Sequence, residues 1–156
     1  MKFINKKQLT PEELKLIKEA FSASEHSVTT PGHKVGCAIL CKNGDIFTGA
    51  TYERTRVIGS TCAERMAVDQ MIFSRNRNPI LCVVVGTFIR QGWSKNFLCT
   101  PCGVCLEMFF ELTNYLGIKD LNFLCPTWDQ KKILRIKLSE LYPQIGRGRW
   151  QRTNSL

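Results

Sequence analysis

Two short stretches of the chain carry residues that can bind a metal ion and move protons. Residues 61–65 read Thr-Cys-Ala-Glu-Arg, and residues 101–105 read Pro-Cys-Gly-Val-Cys. The thiols of Cys62, Cys102 and Cys105 form a ligand set suited to zinc, and three protein ligands leave the fourth tetrahedral position open. Glu64 adds a carboxylate that can act as a general acid and base. A Cys-x-x-Cys pair alone also occurs in redox and structural zinc sites, but this combination predicts a catalytic centre with one zinc ion per chain.

Glu64 and Arg65 each allow a plainer role. Thr61 and Glu64 have the spacing of a capping box, in which Glu64 would only satisfy a helix N-terminus. A capping glutamate does not require a cysteine two residues before it, so we favour the catalytic role. Arg65 is either an exposed helix arginine or a cation that reaches the Cys62 thiolate from three residues along the same helix and withdraws charge from it.

Length and composition predict one domain over residues 1–156, with a core at about 10–143 and a basic tail at 144–156. The first ten residues lack the apolar run of a signal peptide, and no stretch reaches transmembrane length. We therefore expect a cytoplasmic protein without membrane contact. In a reducing compartment the remaining cysteines need not pair, and those in apolar runs are predicted to be buried free thiols: Cys37, Cys41, Cys82 and Cys125.

The charge of the chain leaves nucleic acid open as a partner. The net charge is +9, from 22 Lys+Arg against 13 Asp+Glu. From Lys131 to Arg152 there are seven basic residues and one acidic residue, Glu140. We favour a solvated basic tail over a dedicated nucleic-acid surface, because no aromatic-interleaved binding motif accompanies the charges.

Hydrophobic periodicity and turn signals predict an α/β framework for these residues. Thr10, Pro11 and Glu13 indicate a helix that ends near Ser24. Two later helices are predicted to open at Thr61 and Pro101, the second stopping at Gly117, and a short helix follows at 139–142. Asn43-Gly44 predicts a hairpin between the first two of five strands, which are 35–41, 45–52, 80–89, 121–125 and 133–138. This order predicts a three-layer α/β/α sandwich around a mixed five-stranded sheet.

These motifs resemble those of the cytidine deaminase family, small homo-oligomeric zinc enzymes that act on nucleosides. The resemblance covers most of residues 10–150. It rests on Cys-Ala-Glu-Arg at 62–65 and Pro-Cys-Gly-Val-Cys at 101–105, and on three further segments: Val-Gly-Cys-Ala-Ile at 35–39, Gly-Ala-Thr-Tyr-Glu at 49–53 and Leu-Ser-Glu-Leu-Tyr-Pro at 138–143. The resemblance implies a cytidine deaminase-like fold, a homotetramer or a dimer, and hydrolytic release of ammonia from a cytosine-type nucleoside in pyrimidine salvage. It implies that zinc is held by Cys62, Cys102 and Cys105 while Glu64 moves the protons.

The resemblance also implies which residues bind substrate. The backbone at Ala63 would read the base edge, and Glu53 would accept a hydrogen bond from a sugar hydroxyl. Thr51 stands where the family has an asparagine that holds the sugar, and it offers fewer hydrogen bonds. His33 stands where the family has an aromatic residue facing the base, so it is either a stacking partner or a loop histidine. Two further departures are Leu106-Glu107 after the last cysteine and a longer loop at 90–98.

Two other functions compete with a nucleoside deaminase. The first is deamination of a base within RNA or DNA, which the basic charge supports. Enzymes of that kind usually carry histidine as the first ligand, whereas His26 and His33 both lie outside the two motifs. The second is a non-catalytic protein stabilised by zinc. Glu64 argues against it, because a structural zinc site does not require that carboxylate.

Overall fold

The computed structural model describes residues 1–55, 59–88 and 94–142. Four helices are α1 (Pro11–Ser24), α2 (Ala63–Phe73), α3 (Gly103–Leu116) and α4 (Leu138–Leu141), and Lys6–Gln8 form a short 3-10 helix. Six strands are β1 (Lys2–Ile4), β2 (His33–Cys41), β3 (Ile46–Ala50), β4 (Pro79–Phe88), β5 (Asn122–Pro126) and β6 (Ile133–Lys137). Residues 90–93 of the predicted loop at 90–98 lie outside the described residues, as does the whole predicted tail at 144–156.

The strands form one mixed sheet in the order β1-β6-β5-β4-β2-β3. Among the strands of the described residues, β4 and β5 are the only pair that runs parallel. The predicted count of five strands was wrong by one, because Lys2–Ile4 adds an antiparallel edge strand to β6. Three residues are too short for a readable alternation of apolar and polar side chains, so only the pairing with β6 defines this strand.

Local signals fixed the first helix and the hairpin as predicted. In α1, the Thr10 hydroxyl accepts from the Glu13 N–H at 3.2 Å, and the Glu13 carboxylate accepts from the Thr10 N–H at 2.9 Å. Both bonds satisfy N–H groups that a helix start leaves unpaired. Between β2 and β3, Gly44 takes a φ of 90°, which suits glycine in the tight turn.

Helices cover both faces of the sheet, which confirms the three-layer α/β/α architecture. On one face, Ala38 of β2 and Val83 of β4 pack with Leu16 and Ala20 of α1. On the other, alternate residues of the same strands, such as Cys37 and Val84, pack with side chains of α2 and α3, among them Ala67, Met71 and Phe109. This second face carries the starts of the two helices that hold the predicted metal ligands.

The remaining thiols are buried within these layers. Cys37, Cys41, Cys82 and Cys125 are buried and free, as predicted, and Cys99 is buried as well. Burial raises the pKa of the Cys37, Cys82 and Cys125 thiols, because a thiolate is poorly solvated there. Among the described residues, no helix combines the length and apolar character needed to cross a bilayer.

Candidate active site

Two helix starts bring three thiols together. Cys62 is the N-cap residue of α2, and Cys102 is the N-cap residue of α3. Cys105 lies in the first turn of α3 and is buried, whereas Cys102 is exposed. The unpaired N–H groups of a helix start favour nearby negative charge, so these positions suit thiolates. The sequence prediction that the three cysteines meet is confirmed.

The spacing of the sulfurs fits a zinc ion. The Sγ atoms of Cys62, Cys102 and Cys105 all lie within 4.8 Å of one another, and those of Cys62 and Cys102 are 3.9 Å apart. Zinc–sulfur bonds of about 2.3 Å in a tetrahedral arrangement place two sulfurs about 3.8 Å apart. Hydrogen bonds from the Cys105 and Cys102 thiols hold the pKa of the Cys62 thiol well below its usual range. The donor set therefore fits zinc in spacing and in ligand type.

Glu64 is buried against this cluster. It is the second residue of α2 and only 4% exposed. Burial raises the pKa of its carboxyl to about 7, since a carboxylate is poorly solvated there, and the negative charge of Cys62 raises it further. The Cys105 thiol lies within hydrogen-bonding reach of the carboxylate and opposes the shift. The carboxyl is thus positioned to hold or release a proton beside the three thiols.

The predicted helix starts needed correction. Thr61 exchanges two backbone hydrogen bonds of 2.9 Å with Tyr52, so it is extended, and α2 begins two residues later at Ala63. The α2 N-terminus has no side-chain cap, so the alternative of a Thr61–Glu64 capping box was wrong. The third helix likewise begins at Gly103 rather than Pro101.

Arg65 lies beside the Cys62 sulfur. Its charge and a hydrogen bond help to lower the pKa of the Cys62 thiol. One terminal nitrogen donates to the Ser60 carbonyl, while the buried Nε finds no acceptor among the described residues. Three thiolates carry one negative charge more than Zn²⁺ can neutralise, and a half-buried cation here offsets that excess.

The segment after β3 runs beside the start of α2. Tyr52 and Thr61 form an antiparallel pair. Their neighbours Thr51 and Cys62 therefore lie opposite each other, on the same side of that pair. Thr51 is 9% exposed, and its N–H donates to the Val35 carbonyl at 3.1 Å. Ala63, the first residue of α2, is fully buried. Its N–H belongs to the first turn, where intrahelical acceptors are lacking.

His33 and Glu53 form a pair that sequence reasoning missed. His33 Nδ1 contacts a carboxylate oxygen of Glu53, and its ring stacks on Phe88 with centroids 3.8 Å apart. His33 and Phe88 are register partners on β2 and β4. β2 and β4 are not consecutive in the chain, so no local signal relates His33 to Phe88. The register of the β2–β3 hairpin, in which Gly36 is opposite Ala50, does place His33 opposite Glu53 when it is continued. The loop-histidine alternative is wrong, because His33 begins β2.

Comparison with known families establishes the family to which this chain belongs. The family described as "Cytidine and deoxycytidylate deaminase zinc-binding region" matches residues 11–124, which include all three cysteines, Glu64 and Arg65. The chain belongs to this family. Membership confirms the resemblance seen in the motifs, together with zinc as the cofactor and hydrolytic deamination as the type of reaction.

Individual cytidine deaminases agree with this assignment. The cytidine deaminase of Halalkalibacterium halodurans is 33% identical over 134 residues, covering 82% of this chain and 89% of that protein. Two solved cytidine deaminases share the fold. The Burkholderia pseudomallei structure has a TM-score of 0.69 at 22% identity, covering 86% of this chain and 98% of that one. The Mycobacterium tuberculosis structure has a TM-score of 0.64 at 21% identity, covering 86% and 97%.

Proposed function

We propose that this zinc-dependent deaminase converts the exocyclic amine of a free cytosine-type nucleoside to a carbonyl and releases ammonia. Cytidine, deoxycytidine or a related aminopyrimidine nucleoside is the substrate class. The observation that carries the proposal is the buried Glu64 carboxyl beside the thiols of Cys62, Cys102 and Cys105. A structural zinc site would gain nothing from burying an acid there, since an isolated buried carboxyl costs free energy.

Cys62, Cys102 and Cys105 would hold the ion. When bound, zinc would supply activation of a water molecule for attack at neutral pH. Glu64 takes a proton from that water and passes it to the ring nitrogen of the base. The oxygen of the water bonds to the amino-bearing carbon. Glu64 then transfers the proton of the added hydroxyl to the amino group, so that the C–N bond breaks, ammonia leaves and a carbonyl remains. A pKa near neutrality lets one carboxyl both accept and donate a proton.

The remaining site residues would position the nucleoside. The Ala63 N–H, at the N-terminus of α2, offers a hydrogen-bond donor to the base edge. Thr51 lies beside Cys62 on the adjoining segment and would contact the sugar, as would Glu53. Arg65 would moderate the charge on the thiolates without touching the substrate.

We also propose that the protein is a cytoplasmic homo-oligomer, a tetramer or a dimer, that acts in pyrimidine salvage. The eight free cysteines fit a reducing compartment. Large apolar side chains are exposed on the two helices that carry the site, namely Phe73, Val104 and Tyr115. Apolar side chains are typical of surfaces that associate with another chain when they form one contiguous patch.

A substrate panel tests the proposal. Ammonia release is measured from cytidine, deoxycytidine, a cytosine nucleoside antibiotic and short oligonucleotides, with Glu64→Gln as the control for contaminating activity. We expect turnover of at least one free nucleoside and none by the control. Turnover of oligonucleotides alone would instead support deamination within a polynucleotide. No turnover of any substrate by zinc-loaded protein would support the non-catalytic alternative.

A further inference from the structure

Glu53 is fixed by residues 28–33, which form a loop and the first residue of β2. The Glu53 N–H donates to the Val28 carbonyl at 2.8 Å, and one carboxylate oxygen accepts from the Thr30 N–H at 2.9 Å. The other oxygen contacts His33 Nδ1. These hydrogen bonds, that of Thr30 foremost, hold the pKa of the Glu53 carboxyl below its usual value. Glu53 is therefore an oriented carboxylate, which can only accept hydrogen bonds.

His33 is held as firmly as Glu53. Its ring stacks on Phe88, its backbone N–H donates to the Thr30 carbonyl at 3.1 Å, and its side chain is only 15% exposed. A ring fixed on one face and bonded through Nδ1 has little freedom to turn. His33 thus determines where one Glu53 oxygen lies.

Glu53 still has capacity for a ligand. Its side chain is 30% exposed. A carboxylate has about four lone-pair sites, and the contacts to the Thr30 N–H, the Thr30 hydroxyl and His33 use three of them. Glu53 follows Tyr52, which is hydrogen-bonded to Thr61 directly before the metal ligand Cys62. The remaining lone pair therefore belongs to a carboxylate next to the reaction centre.

We propose that His33 is a positioning residue that orients Glu53 as the acceptor for a sugar hydroxyl, so that the pair selects hydroxylated nucleosides over deoxygenated ones. The inference rests on the proposed nucleoside substrate. This role of His33 differs from stacking on the base. It also explains how a site with Thr51 in place of an amide keeps a directional contact to the sugar, because His33 supplies the fixed orientation.

Steady-state kinetics of His33→Phe, His33→Asn, Glu53→Gln and the double variant His33→Phe/Glu53→Gln test the pair. Phenylalanine keeps a ring against Phe88 but removes the donor, whereas asparagine retains a donor near the Nδ1 position. Each variant is assayed with cytidine and with 2′,3′-dideoxycytidine, which lacks both ring hydroxyls of the sugar. Zinc content and melting temperature verify that each variant is folded.

We expect His33→Phe to raise KM for cytidine by about tenfold with little change in kcat, since an interaction with a charged group is weakened. KM for 2′,3′-dideoxycytidine should change less than about twofold, because this nucleoside lacks the hydroxyls from which Glu53 would accept a hydrogen bond. His33→Asn should recover part of the loss. The double variant should be no worse than Glu53→Gln alone, because the two residues act as one unit.

Two results would overturn the inference while leaving the proposed function intact. One is an equal loss on both nucleosides in His33→Phe, which would indicate a role for His33 that does not involve the sugar hydroxyls. The other is additivity of the two single substitutions. Should His33→Phe fail to fold, His33→Asn and Glu53→Gln form the same cycle, and equal effects on both nucleosides again overturn it. If the wild-type protein turned over no nucleoside at all, the proposed function and this inference would fall together.

Discussion

Gly49 of β3 lies directly against the Ala63 carbonyl at the start of α2. A Cβ atom built on Gly49 would lie 2.2 Å from that oxygen and 2.6 Å from the Ala67 nitrogen. Both contacts are with helix backbone, which cannot turn aside as a side chain could. The absence of a side chain at Gly49 is therefore what lets α2 approach the sheet closely enough for Cys62 to meet Cys102.

Gly49→Ala should destabilise the fold and loosen the metal site. We expect a loss of about 1–3 kcal/mol in the free energy of unfolding, the usual cost of overpacking, together with weaker zinc retention. Gly103→Ala is the matched control, because a Cβ there meets nothing within 4 Å. Urea unfolding and metal analysis measure both. A Gly49→Ala protein as stable as the control would contradict the packing argument.

Purified protein should contain about one zinc per chain, and Cys102→Ala should lose it, because each ligand contributes to a site coupled to folding. Cys41→Ala serves as the control. Cys41 is a buried thiol at the opposite end of β2 from Val35, to which Thr51 bonds, and it should leave the zinc content unchanged. Elemental analysis after purification without chelators decides the matter. Zinc-free wild-type protein would refute the assignment of the ligands.

Glu64→Gln should preserve the fold and the zinc content while lowering kcat by about 10²-fold or more, the scale for a positioned acid and base. Glutamine keeps the volume of the side chain but cannot titrate. Ammonia release under saturating substrate is the measurement. Near wild-type turnover by this variant would mean that another group moves the protons.

Salt dependence should separate a nucleoside enzyme from a polynucleotide enzyme. KM for a free nucleoside should vary weakly between low and high salt, because a nucleoside carries no phosphates. Binding to an oligonucleotide would weaken with a log–log slope of about 0.7–0.9 for each phosphate neutralised. Tight, salt-sensitive oligonucleotide binding without nucleoside turnover would favour the polynucleotide alternative.

Thr51→Asn should reveal whether the sugar site suits ribose. If the natural substrate is a ribonucleoside, the amide should improve cytidine turnover by up to about tenfold, since one recovered hydrogen bond contributes about 0.5–1.5 kcal/mol. We expect instead that the natural substrate carries a different group where ribose would sit, because Thr51 and His33 both depart from the family while the metal residues do not. Asparagine should then give no gain with cytidine and should weaken the natural reaction. Efficient wild-type turnover of cytidine, unchanged by asparagine, would show that Thr51 has no influence on substrate choice.

The sequence by itself determined the features that depend on neighbours in the chain. The Thr10–Glu13 capping box and the Asn43-Gly44 turn need only a few adjacent residues, and both formed as predicted. The ligand set was also readable, because the chemistry of zinc restricts which residue types and spacings can hold it.

Tertiary structure decided what depends on contacts between distant segments. The strand Lys2–Ile4 exists only through its pairing with β6, and Thr61 is extended rather than helical because Tyr52 binds it. The stacking of His33 on Phe88 required the lateral pairing of β2 with β4, which a linear pattern does not contain. The contact of His33 with Glu53 lies instead on the continued register of the β2–β3 hairpin, in which Gly36 is opposite Ala50. The free energy of such pairings comes from burial and from hydrogen bonds that form only when the whole sheet assembles.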